Sequence, residues 1–206
     1  MTQTRSGSVR AYIGLGANLG PARATLALAV RALAALPGVR LRGVSRLYLS
    51  TPVGVAAQPD FHNAVVALEV PRGPSAETGA LALVVALKGL ERALGRRPGR
   101  RWGPRAIDLD LLVFGRHRVH VPRAAAARSG DPARSGVQWL DVPHAAARER
   151  VFVLAPLADL APRLVPPGWP TTVARALAER AAVEGPLAAR AIASWDPATL
   201  EWSADA

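Results

Sequence analysis

Two strand-like runs, Val39 to Ser50 and Phe61 to Val70, are separated only by Thr51 to Asp60, a stretch broken by Pro52, Gly54 and Pro59. That spacing constrains the fold more than any other feature of the chain. Parallel neighbours need a crossover of a dozen or more residues, usually helical, and this connection has no helical pattern. The two runs must therefore pair antiparallel as a hairpin-like unit. In the first run Leu41, Gly43, Ser45 and Leu47 alternate with Arg42, Val44, Arg46 and Tyr48, so the two sets face opposite sides of a strand. Helical segments are interleaved with such runs. Ser8 to Leu15 reads as a strand, and a helix follows from Pro21 to about Leu36, stopped by Pro37-Gly38. Pro74 to Leu94 is a long helix with Ser75 as a cap residue and Gly95 as its end. Ala106 to Phe114 is a strong strand, and Val151 to Leu160 and Thr171 to Ala182 read as shorter helices. The expected class is α+β, an α/β sandwich on a largely antiparallel sheet rather than a doubly wound fold. Arg116 to Gln138 is weakly patterned and reads as a loop, and the last residues to Ala206 carry no assignment.

Charge and composition narrow the function classes. The 206 residues carry a formal charge of +11, yet Lys88 is the only lysine. An Arg-rich, Ala-, Gly- and Pro-rich composition suits a GC-rich coding sequence, so the overall charge says little and only the placement of particular arginines counts. There is no cysteine, which excludes disulfides and thiolate–zinc sites. No apolar run is long enough to cross a bilayer, and Met1 to Arg10 lacks the apolar core of a signal peptide. The expected setting is the cytoplasm.

The chemistry concentrates in Arg101-Trp102-Gly103-Pro104-Arg105-Ala106-Ile107-Asp108-Leu109-Asp110. On a strand Ile107, Leu109 and Leu111 face the core and Asp108 and Asp110 face the other way, their Cα atoms roughly 6.5–7 Å apart. Two solvated acids are the bland alternative, but Leu112 and Phe114 continue the same face, which an exposed polar face would not do. Carboxylates hold divalent metal ions and guanidinium groups hold phosphate oxygens, so the acids beside Arg96, Arg97, Arg100 and Arg101 point to a metal–nucleotide complex. The glycine-rich stretch Gly14-Leu15-Gly16-Ala17-Asn18-Leu19-Gly20 lacks the spacing and the following acid of a dinucleotide site and reads as a tight strand-to-helix turn. A Walker A loop is absent. Phe61 and Asn63 share a strand face, where an amide can read the edge of a heterocycle that an aromatic stacks upon; taken by itself, an ordinary strand with Asn63 hydrogen-bonded to its neighbours is the better reading. His144 follows Val142-Pro143 at a turn, with Arg148 and Arg150 close behind.

Together, Gly14 to Gly20, Thr51-Pro52-Val53-Gly54, Gln58-Pro59-Asp60-Phe61-His62-Asn63, Gly103 to Asp110 and Val142-Pro143-His144 resemble, in order, the 6-hydroxymethyl-7,8-dihydropterin pyrophosphokinase family of folate biosynthesis. The resemblance covers about residues 8–183, with 116–138 as an inserted loop and 184–206 as an unassigned extension. It implies a ferredoxin-like fold and transfer of pyrophosphate from ATP, the co-substrate, to the pterin hydroxymethyl oxygen with release of AMP. It implies two Mg²⁺ ions on Asp108 and Asp110, with Arg96 and Arg105 completing the catalytic set. Thr51, Val53, Phe61, Asn63 and Phe152 would surround the pterin. Lys88, Glu91, Arg96, Arg105, Ile107, His144 and Arg150 would serve ATP. Asp108 and Asp110 both stand as general-base candidates, and Thr51–Asp60 and Gly95–Pro104 as loops that close over the site.

This sequence departs from the family pattern in several places. Phe61 stands where tyrosine is frequent, and Ala145 where an aromatic is common. Trp139 and Asp141 stand where basic or hydroxyl residues are frequent. The Glu91–Trp102 loop is one residue short, so either Arg97 or Arg100 is the second loop arginine. The partners implied are small molecules, with no membrane or nucleic acid, and a monomer is the working expectation. The competing readings are a weakened paralogue that only binds pterin or nucleotide, and a basic nucleic-acid-binding module, which the two acids oppose.

Overall fold

A computed structural model describes residues 7–52, 57–98, 103–129, 136–185 and 188–204. Its centre is strand β1 (Ser8–Ala17), which pairs antiparallel with β4 (Phe61–Pro71) on one side and β5 (Asp108–Phe114) on the other. Beyond β4 lie β2 (Arg40–Val44) and β3 (Leu47–Ser50), then β8 (Arg190–Asp196) and β9 (Glu201–Ser203), all antiparallel. β6 (Val119–Pro122) and β7 (Trp139–Val142) form a separate hairpin. Helices α1 (Ala22–Ala34) and α2 (Ala76–Ala93) bury their apolar faces against one side of the sheet. α3 (Val151–Leu160) and α4 (Val173–Glu184) cover the other. The antiparallel α/β sandwich is therefore as expected. No described helix is long and apolar enough to cross a membrane.

Local signals account for the helix ends. Ser75 accepts from the Thr78 N–H at 3.1 Å and its own N–H donates to Thr78 Oγ1 at 3.1 Å, a reciprocal cap that satisfies two otherwise orphaned donors. In α1 the buried positions Ala22, Leu26, Ala29, Val30 and Leu33 follow the helical period.

The structure corrects four expectations. Val39–Ser50 is not one strand: β2 and β3 break at Ser45-Arg46, where Ser45 Oγ takes the Val65 N–H at 2.9 Å and the Ser45 carbonyl takes the Trp202 indole N–H at 2.9 Å. The Arg116–Gln138 region is not simply a loop, because Val119–Pro122 pairs with Trp139–Val142 and Val119, Ala127 and Gln138 are buried. Its strands are only four residues long, too short to show a clear period. The unassigned C-terminus supplies β8 and β9 and extends the sheet. Finally, β5 carries a bulge: Ile13 opposes Leu111 and Tyr12 opposes Val113, leaving Leu112 as an extra residue. Leu112 stays on the face of the two acids, but Phe114 crosses to the core under α2.

Candidate active site

The sheet places the predicted residues in two cross-strand rows. Asp108 opposes Gly16, Gly16 opposes Asn63, and Asn63 opposes Tyr48; one step along, Asp110 opposes Gly14 and Gly14 opposes Val65. Directly opposed residues point to the same face. The acids and Asn63 therefore stand on one face, two strand spacings or about 10 Å apart, with only glycine between them. Gly14 and Gly16 are not in a turn, as the sequence suggested; they lie within β1. A Cβ on Gly14 would meet Leu112 at 3.3 Å and one on Gly16 would meet Asn63 Oδ1 at 3.5 Å. Their missing side chains form the floor of a cavity of about 140 Å³. The chain turns after β1, where buried Asn18 clamps three segments. Its Nδ2 donates to Gln58 Oε1 at 3.1 Å and the Pro59 carbonyl at 2.9 Å, and its Oδ1 accepts the Arg105 N–H at 2.7 Å. This fixes Arg105 against the floor, a role that local sequence could not reveal.

Thr51, Phe61 and Asn63 line the cavity together with Ser50, and Arg150, at the start of α3, and Phe152 and Val153 within it form another wall. Val53 lies outside the described residues, as does Arg100. The Asn63 amide donates to Ser50 Oγ at 2.8 Å and to the Phe61 carbonyl at 3.2 Å. Both donor positions are thus engaged, and the amide oxygen faces the glycine floor as an acceptor. The Arg150 guanidinium sits 5.7 Å from the centre of the Phe152 ring, a stacked arrangement that holds both side chains at the wall.

At the other end Arg105, Asp108, Asp110 and His144 converge. Asp108 is paired with Arg96, at 2.8 Å, and with Arg105. Burial alone would raise its carboxyl, but Lys88, Arg105 and Arg96 outweigh it and hold Asp108 well below the usual carboxylate range. Asp110 is more open to the cavity, with 38% of its side chain exposed. The His144 main-chain N–H donates to the Leu112 carbonyl at 2.9 Å, and its Nδ1 accepts from the Ala146 N–H at 3.3 Å. His144 also borders a second hollow lined by Arg118, His120, Asp141, Pro167 and Trp169.

Lys88, Glu91 and Ile107 do not line the cavity. Ile107 is core, and Lys88 and Glu91 are buried beneath β5. Among the described strands β5 pairs with β1 alone and is a sheet margin, and Lys88, Glu91 and Arg96 bond the main chain at Ile107 and Leu109. Glu91 Oε1 accepts the Leu109 N–H at 2.7 Å and the Lys88 ammonium at 2.6 Å; Lys88 donates to the Leu109 carbonyl at 3.1 Å. Arg96 donates to the Ile107 carbonyl at 2.7 Å. The main chain at Ile107 and Leu109, on either side of Asp108, is thus fixed by side chains of α2 and the turn after it. Burial pushes the Glu91 carboxyl up, against the pull of Lys88. Glu91→Gln keeps an acceptor for Leu109 but removes the counter-charge of a buried ammonium. We expect it to lower unfolding stability by about 2 kcal/mol, measured by urea titration; an unchanged midpoint would show that Lys88 finds its counter-charge elsewhere.

Two acids, arginines and an apolar-walled cavity with a polar end suit an enzyme of phosphoryl transfer. Residues 12–162 match the model of the 7,8-dihydro-6-hydroxymethylpterin-pyrophosphokinase (HPPK) family, and the chain belongs to that family. It is 42% identical over 155 residues to the 2-amino-4-hydroxy-6-hydroxymethyldihydropteridine pyrophosphokinase of Pseudomonas aeruginosa, covering 75% of this chain and 82% of that one. To the enzyme of the same name from Methylorubrum extorquens it is 41% identical over 170 residues, covering 82% and 92%. Among solved structures, Plasmodium falciparum HPPK-DHPS superposes with a TM-score of 0.71 at 12% identity, over 98% of this chain and 51% of that one. The chain spans about half the length of that protein, and the likeness shows the fold.

Proposed function

We infer that this chain is a diphosphokinase of folate biosynthesis that uses the glycine-floored cavity to join ATP to 6-hydroxymethyl-7,8-dihydropterin. The hydroxymethyl oxygen bonds to the β-phosphorus of ATP, the bond from that phosphorus to the α-phosphate bridging oxygen breaks, AMP leaves, and the hydroxyl proton is released. The observation that supports this reading is the row Asp108–Gly16–Asn63, in which an amide and an arginine-paired acid share one floor. Asn63 Oδ1 would accept from ring N–H groups, with Phe61 and Phe152 as walls. Arg96, Arg105, His144 and Arg150 would take the triphosphate. Because His144 borders both hollows, the nucleoside would lie toward Asp141 and Trp169. The chain would act as a monomer.

Asp108 and Asp110 suit Mg²⁺. Among the described residues no third acid or histidine completes a three-ligand metal group with them, and Mg²⁺ on one or two carboxylates completes its shell with water and phosphate oxygens. Two ions are proposed. When bound they neutralise phosphate charge and make the hydroxyl more acidic. The residues themselves align the reacting atoms and stabilise charge, as phosphoryl transfer requires. An incoming triphosphate would draw Arg96 and Arg105 from Asp108 and free its oxygens.

The test is AMP release from ATP, Mg²⁺ and the hydroxymethyl dihydropterin; release no greater than in a metal-free control would remove this reading. Asn63→Ala should raise the KM for the pterin by about ten- to a hundredfold and leave that for ATP nearly unchanged. Equal changes in both constants would argue against Asn63 as the ring contact.

A further inference from the structure

We propose that Arg46, Tyr48 and Asp159 form a clamp that sets where α3 presents Arg150 and Phe152, making all three positioning residues for the pterin side of the cavity. The proposal rests on the assignment of that cavity to the pterin. Tyr48 stands in the same cross-strand row as Gly16 and Asn63. Its ring packs with Val151 and Ala155 of α3. Its hydroxyl donates to Asp159 Oδ1 at 3.0 Å and accepts from Arg46 Nη2 at 2.8 Å. Arg46 also reaches Asp159 directly, through its main-chain N–H at 3.1 Å, Nε at 3.2 Å and Nη2 at 2.7 Å. Both carboxylate oxygens are therefore tied to the segment between β2 and β3.

The helix needs such a tie. Asp159 lies near the C-terminal end of α3, where the helix dipole disfavours a carboxylate, so its place there depends on Arg46. Pro156 has no N–H, which leaves the Phe152 carbonyl without its helical partner and weakens the first turn. Arg150 caps α3 with no side-chain hydrogen bond. Phe152 and Asp159 are seven residues apart, two turns or about 10.5 Å, and lie on one helix face. Holding both oxygens of Asp159 fixes the rotation and axial position of α3, and hence where Phe152 and Arg150 meet the cavity. Ser50, two residues after Tyr48 on β3, holds the Asn63 amide, so one strand governs both walls.

The test compares Tyr48→Phe, which removes only the hydroxyl, with Asp159→Asn. Pterin affinity is measured by calorimetry with a non-hydrolysable ATP analogue present, beside nucleotide affinity and melting. Each variant should weaken pterin binding on the order of fivefold with nucleotide affinity nearly unchanged, and the double variant should lose little more than either single one. Pterin affinity equal to the unmodified protein overturns the clamp, whatever the melting temperature. So do losses that simply add. Should Asp159→Asn fail to fold, Tyr48→Phe decides alone. Asn63→Ala and Phe152→Ala are read in parallel. Loss of pterin binding in those two but not in the clamp variants overturns the clamp alone, and no loss in them overturns the cavity assignment and the clamp with it.

Discussion

Asp110→Ala is expected to reduce AMP formation on the order of a thousandfold while leaving the fold in place. The side chain opens into the cavity and takes no part in the core. Its strand is held from behind by Leu109 and Leu111, both buried, and from the side by the pairing of Gly14 with Asp110. Lys88, 3.9 Å from Asp110, keeps its 2.6 Å contact with Glu91, so no buried charge is stranded. The corresponding change at Asp108 is less informative, because it would remove the carboxylate that Arg96 and Arg105 share and alter ATP binding in either direction. The decisive measurement is single-turnover AMP release at saturating ATP, with circular dichroism as a check on folding. Activity within about tenfold of the unmodified protein would mean that Asp110 is not a ligand of the reacting complex.

The faces of β5 were readable in its residues because strand alternation is local: Ile107, Leu109 and Leu111 are core, and the acids are opposite. The ends of α2 were readable for the same reason, since Ser75 and Gly95 act within a turn of themselves. What failed to show was set across the sheet. The bulge at Leu112 exists only relative to β1. Gly14 and Gly16 look like turn residues until β4 and β5 flank them, and only then does the missing side chain become a floor. Lys88 and Glu91 are neighbours on α2 by their spacing, but the unpaired margin of β5 beneath them is distant in sequence. The resemblance placed them near the nucleotide; the hydrogen bonds instead tie them to the acid-bearing strand. Asn18 likewise owes its role to Gln58, Pro59 and Arg105, partners about forty or more positions away.

The C-terminal residues illustrate the same point with a measurable consequence. Nothing in Arg190 to Ser203 announces a role, yet β8 pairs with Leu47, Tyr48 and Leu49 and covers what would otherwise be the open edge of β3. Trp202 is 1% exposed, its indole donates to the Ser45 carbonyl at 2.9 Å, and Trp195 meets it edge-on at 4.7 Å. Arg31 of α1 donates to the Leu200 carbonyl at 3.0 Å, so the hairpin also ties back to the helical layer. Trp202→Ala should therefore destabilise the protein by about 3–5 kcal/mol, the range for emptying a large buried aromatic site. For a chain of this size that is a fall in Tm of roughly 6–20 °C. Trp202→Phe, which keeps most of the apolar volume but strands the Ser45 carbonyl, should lose less, on the order of 1–3 kcal/mol. A Trp202→Ala shift below about 1 kcal/mol would show that the hairpin is an appendage rather than part of the core. Turnover per folded molecule should change little in either variant at temperatures well below melting, because Trp202 packs in the core under α1 while the cavity lies on the opposite face. That separation of stability from activity is what distinguishes Trp202 from Tyr48, which joins the sheet from the cavity side.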